Sequence, residues 1–87
     1  MIIQRNNDLN TALLDEQICI FEPVKANYLT LNEVGSFIWS KIEKPVIVYD
    51  LFEIILSNYD CKENEIKSEV YSFINDAIRL NLIKEVD

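Results

Sequence analysis

Tyr28-Leu29-Thr30-Leu31-Asn32-Glu33-Val34-Gly35-Ser36-Phe37-Ile38-Trp39 carries two hydrophobic periods, and they meet at Asn32. Up to Leu31 the residues alternate, which sends Leu29 and Leu31 to one face of a strand and Tyr28 and Thr30 to the other. From Glu33 onward Val34, Phe37, Ile38 and Ile42 recur at helical spacing. Asn32 suits a helix N-cap, because its side chain can accept from an early backbone N–H, and Glu33 complements the positive end of the helix dipole. A helix is therefore predicted over about residues 33–42. Gly35 inside it costs about 1 kcal/mol relative to alanine. Close approach of another backbone would offset that cost, and Trp39 lies one turn later on the same side.

Before this junction the chain reads as strands and turns. Ala12-Leu13-Leu14 and Ile18-Cys19-Ile20-Phe21 are short apolar runs separated by the polar turn Asp15-Glu16-Gln17. Glu22-Pro23-Val24-Lys25-Ala26-Asn27 then breaks the chain, since Pro23 has no N–H for a ladder. With Tyr28–Leu31 these runs predict a three-stranded antiparallel meander over about residues 11–32. Ile2-Ile3 competes with Ala12–Leu14 for the place of first strand. The last strand lies at an edge of the sheet, with unpaired N–H and C=O groups.

After the junction the chain reads as helix. Pro45 marks a break, and a second helix is predicted over about 48–58, with Leu51, Ile54, Ile55 and Asn58 on one side. Its start lacks a capping residue, because Val46 and Ile47 stand where Ser or Thr would help. A third helix is predicted over about 63–80. At about 100° per residue, Ile66, Val70, Phe73, Ala77 and Leu80 form one stripe, read as core. Lys67, Tyr71, Ile74 and Ile78 form a shoulder beside it that is more apolar than an ordinary solvent-facing flank. Asn81 tolerates the left-handed conformation of a helix C-terminus, and Leu82-Ile83 is expected to fold back on the core. The predicted fold class is α+β: a three-stranded antiparallel sheet followed by three helices, in a winged helix-turn-helix-like outline and one domain over 1–87.

Composition bounds the chemistry. The chain has 87 residues and a formal net charge of −7, which disfavours nucleic-acid and anionic-membrane partners. The third helix carries Glu63, Glu65, Glu69 and Asp76 against Lys67 and Arg79, the wrong sign for a recognition helix. No apolar run approaches the roughly 20 residues needed to span a bilayer, and no signal-peptide stretch opens the chain, so a cytoplasmic location is expected. There is no histidine, and Cys19 and Cys61 lack metal-ligand spacing and are expected to be reduced and packed. No Gly-rich phosphate loop or nucleophile elbow is present, so the residues favour a non-enzymatic module without cofactor or metal.

The string Tyr28-Leu29-Thr30-Leu31-Asn32, then Gly35, then Ile38-Trp39, resembles the strand-to-helix junction of PqqD-like proteins. The ending Phe73-Ile74 with Asn81-Leu82-Ile83 is similar to that family's close, except that Asn81 stands where glycine is usual. Lys62 stands where Asp or Ser more often caps the third helix, and Asp60 is a candidate substitute. The resemblance covers about residues 18–84 and implies binding of a precursor peptide's leader as an added strand, packed against the third helix. Carried onto this chain, it assigns the edge to Tyr28, Leu29, Thr30 and Leu31 and the pocket wall to Tyr71, Ile74 and Ile78, with Lys67 at the rim. On that assignment Ile74→Glu would weaken binding and spare the fold, whereas Ala77→Glu would unfold the domain. The implied partners are a precursor peptide and a maturation enzyme, whether leader protease, cyclase or radical SAM enzyme, with the protein itself a monomer or weak dimer. The alternative is a winged-helix-like regulatory or oligomerisation module that binds no leader.

Overall fold

Both candidates for the first strand are strands, and they belong to different sheets. In the computed structural model, which describes residues 1–23 and 25–86, Ile2–Arg5 forms β1 and Thr11–Leu14 forms β2. Gln17–Glu22 is β3 and Asn27–Thr30 is β4. Val24, in the expected break before Tyr28, and Asp87 lie outside the described residues.

Strands β2, β3 and β4 make an antiparallel sheet in that spatial order, with Leu14 opposite Gln17 and Phe21 opposite Tyr28. The β2–β3 turn is made by Asp15 and Glu16, both at positive φ (50° and 66°). A two-residue hairpin needs that geometry to match the twist of its strands, although neither residue is a glycine. Ile20 is fully buried on the inner face of this sheet, while Phe21 and Tyr28 stack edge-to-face on the outer one, with ring centres 5.1 Å apart.

The single sheet expected from the sequence accounts for only half of the strands. A second antiparallel sheet runs β5–β1–β6, where β5 is Val46–Ile47 and β6 is Ile83–Glu85. Its central strand buries Ile3 completely, and Arg5 pairs with Ile83. Leu82 and Ile83 do fold back into the core, as their apolarity requires. The two outer strands are two and three residues long, too short to show a period in sequence.

Three helices complete the α+β fold: α1 (Glu33–Lys41), α2 (Val48–Asn58) and α3 (Glu63–Arg79). Asn32 caps α1 by accepting from Gly35 N–H at 2.8 Å. The uncapped start of α2 is resolved by the second sheet, because Val48 N–H donates to the Met1 carbonyl at 2.9 Å as β5 runs directly into the helix. No side chain, that of Asp60 included, caps α3; Glu63 and Glu65 in its first turn face the positive end of the dipole. At the other end Asn81 adopts φ 60°, its N–H donates to Ile78 C=O, and Leu82 N–H donates to Ala77 C=O. That pair of bonds is a Schellman closure, which turns the chain from α3 into β6. Arg5 braces the end of α1: its guanidinium donates to Trp39 C=O at 3.2 Å and lies 5.6 Å from the Trp39 ring centre.

The core gathers Trp39 and Ile38 from α1 with Ile42 at its C-cap, Leu51 and Ile55 from α2, and Val70 and Ile74 from α3. Tyr59, beside Phe37, is held above the usual phenol pKa by burial and then by the charge of Glu33. Among the described residues, no helix is long and apolar enough to cross a membrane.

Candidate functional site

The edge of the first sheet is built by β4, which among the described residues pairs with β3 alone. Leu31 N–H donates to Ile18 C=O at 2.8 Å. Antiparallel pairing alternates, so Leu29 and Leu31 aim their main-chain groups at β3, and Tyr28 and Thr30 aim theirs away from it. The Tyr28 N–H is taken up locally by Asn27 Oδ1 at 3.0 Å, which leaves the Thr30 N–H and C=O facing outward. The edge is held rigidly at its far end. Ser36, buried in α1, accepts from Ile18 N–H at 3.0 Å and donates from Oγ to Leu31 C=O at 3.2 Å, so one hydroxyl completes the last rung of the ladder.

Beside this edge runs one flank of α3. Leu29, Thr30 and Leu31 face Phe73, Asp76, Ala77, Leu80 and Leu82 across an open pocket of about 200 Å³. Phe73 and Asp76 also line an adjoining, more polar depression with Asn32, Asn64, Glu65, Ser68, Glu69 and Ser72. Sharing Phe73 and Asp76, the two adjoin along α3 as a shallow trough, apolar near the end of the helix and polar near its start. Gly35 allows this arrangement. A Cβ there would lie 3.1 Å from Phe73 Cε1 and 3.2 Å from Asn32 Oδ1, so the close neighbour is the Phe73 ring and not another backbone.

The residues expected to form the site are brought together only in part. Leu29, Thr30 and Leu31 line the trough, Leu31 as its buried floor. Tyr28 lies on the outer face of the sheet and is 70% exposed. The four residues expected from α3 lie elsewhere. Ile74 is 0% exposed and belongs to the core. Tyr71 rests on Phe52 of α2, ring centres 5.1 Å apart, and with Lys67 lines a separate pocket between α2 and α3. Ile78 is half-buried against the core and does not line the trough.

The correction is a rotation of the helix. The buried residues of α3 are Ile66, Val70, Ile74 and Ala77. At about 100° per residue they span about 80°. Phe73, Leu80, Glu69 and Asp76 lie on one side of that arc, and Lys67, Tyr71 and Ile78 on the other. Of the apolar shoulder residues, Ile74 is in the core, Ile78 packs against it, and Tyr71 rests on Phe52 of α2. Phe73 and Leu80, which look like core in the sequence, are half-buried and 37% exposed and face the trough.

The trough offers carboxylates and amides without a histidine or a thiol. Among the described residues no group of three or more His, Cys, Asp or Glu could hold a metal ion. The cysteines are free, but neither is packed in the core: Cys61 is exposed, and Cys19 is half-buried on the outer face of the sheet, 3.5 Å from Thr30 Oγ1. What the geometry offers is an unpaired strand edge next to an apolar pocket, which is how folded domains take up extended chains.

The family model described as coenzyme PQQ synthesis protein D (PqqD) matches residues 17–83, a span that contains both walls of the trough. The chain belongs to the PqqD family. A solved structure described as TbiB1 in complex with the TbiA(beta) leader peptide has the same fold as this PqqD-family chain. The TM-score is 0.80 at 18% identity, over 97% of this chain and 98% of that one. Comparison with curated proteins gives no match.

Proposed function

We propose that this PqqD-family chain binds the leader segment of a ribosomally made precursor peptide in the cytoplasm and presents it, without catalysing a reaction, to a maturation enzyme. The leader adds as a fourth strand outside β4, and its side chains enter the trough against α3. The observation that carries this reading is the open edge at Thr30, lying directly beside an apolar pocket. Family membership supports it, as does a fold shared with a protein described in complex with a leader peptide.

The strand side of the site is Leu29 and Thr30 of β4 with Leu31 just beyond it, and Tyr28 precedes them. The opposing wall is Phe73, Ala77, Leu80 and Leu82 in place of Tyr71, Ile74, Ile78 and Lys67. A leucine or aromatic side chain buried in the pocket contributes about 1.5–3 kcal/mol. Each main-chain hydrogen bond adds about 0.5–1.5 kcal/mol net. Ordering a flexible leader costs about 2–5 kcal/mol. The edge thus supplies affinity with little sequence preference, and the pocket supplies selectivity. The product, and whether the enzyme served is a leader protease, a cyclase or a radical SAM enzyme, follows from the precursor.

The test is calorimetric titration of the purified chain with a candidate precursor peptide sought among its neighbouring genes, divided into leader and core peptides. The leader is expected to bind with a dissociation constant of about micromolar or tighter, and the core peptide to give no heat. Equal binding of both halves, or of neither, would sink the reading.

A further inference from the structure

The trough is not uniform along its length, and its asymmetry bears on which leader it accepts. Its apolar end is walled by Leu29, Leu80 and Leu82, whereas beyond Asn32 it is lined by Glu65 and Glu69 with Ser68 and Ser72. Neither lining contains a lysine or an arginine. Asp76, between the two ends, is met by Arg79 at 3.2 Å on an exposed turn. Glu69 receives only a long contact, 3.5 Å, from Asn32 Nδ2. The whole chain carries a net charge of −7, so its field adds to the local one.

We infer that the trough selects a cationic leader, with lysine or arginine on the N-terminal side of the apolar residue that fills the pocket. This rests on the proposed capture of a leader at β4. The order follows from direction. β4 runs from Asn27 towards Asn32, so the acidic stretch lies past its C-terminal end. The first sheet is antiparallel throughout, and a guest that continues it runs the opposite way. The guest residues that precede the apolar anchor therefore come to lie along Glu65 and Glu69. Opposite charges facing each other across an interface fix register and reject wrong partners more than they add affinity.

The experiment is selection of a displayed library of random 12-residue peptides on the immobilised full chain, with the selected peptides sequenced and aligned on their apolar position. Three baits are compared: the native chain, Glu65→Gln/Glu69→Gln, and Thr30→Pro. The double variant keeps both side-chain shapes, and the Asn32 amide still has an oxygen to donate to. On the native chain, Lys and Arg are expected to exceed Asp and Glu by about threefold or more before the anchor. The bias is expected to vanish on Glu65→Gln/Glu69→Gln, and when the selection is done in about 0.5 M salt. Peptides that share an anchor but show no charge bias, or that carry their cations after it, would overturn this inference and leave leader capture standing. Equal capture of the same peptides by Thr30→Pro would instead remove capture at the β4 edge, and this inference with it.

Discussion

Ile74→Glu is expected to leave the chain unfolded. Ile74 is 0% exposed, and on α3 it lies between Val70 and Ala77 on the face turned to the core. A glutamate there must either ionise in an apolar interior or reorganise the packing that excludes water. Leaving a charge buried without a partner costs about 3–5 kcal/mol, and deleting the isoleucine's apolar contacts costs about 2–5 kcal/mol more. A domain of this size has about 5–15 kcal/mol of stability in all. Thermal denaturation followed by circular dichroism should show no cooperative transition for this variant. A melt close to that of the native chain would mean that α3 is rotated and that Ile74 faces the trough after all. The neighbouring substitution Ala77→Glu tests the same face and should fail in the same way, since Ala77 is 2% exposed.

Thr30→Pro should do the opposite, keeping the fold and losing the ligand. Its N–H points away from β3, so the sheet loses no internal bond when that donor is removed. Proline is tolerated on an edge strand in this orientation. The guest strand loses a main-chain bond worth about 0.5–1.5 kcal/mol and also meets the pyrrolidine ring where its backbone would lie. Leader affinity is expected to fall by tenfold or more, which corresponds to about 1.4 kcal/mol. The melting temperature should stay within about 5 °C of the native value. Unchanged affinity would mean that the leader is held by side-chain contacts alone and not as a strand.

These two substitutions also mark how far the sequence could be read. The junction at Asn32 is legible because three independent signals coincide there: alternation stops, a capping residue appears, and helical spacing starts. The cap is present as a 2.8 Å bond to Gly35 N–H. The Asn81 turn is legible for a similar reason, since few residues accept φ 60° and Asn is one of them. The second sheet is not legible. β5 and β6 are too short for a period, and although Ile2-Ile3 shows as a strand candidate, its place in a second sheet depends on partners more than 40 residues away. The edge strand of the site is legible from alternation, but the helical wall is not. Apolar spacing locates the axis of a buried stripe to within about one residue, and one residue is about 100° of rotation. Phe73 and Ile74 exchange roles within that margin. What fixes the rotation is tertiary: Phe52 of α2 takes Tyr71, and the gap left by Gly35 takes Phe73. Ser36 carried no signal at all, because a serine inside a helix does not announce that it will close the ladder of a sheet.

Hydrogen exchange of the Thr30 amide, followed by NMR with and without the leader peptide, asks most directly whether a guest chain pairs with β4. Free, this N–H faces solvent on the sheet border and should exchange quickly. In the complex it should become protected by a hundredfold or so, provided the leader is kept at about 100 times its dissociation constant. Rapid exchange that persists at saturation, with protection appearing only on amides remote from β4, would contradict strand addition.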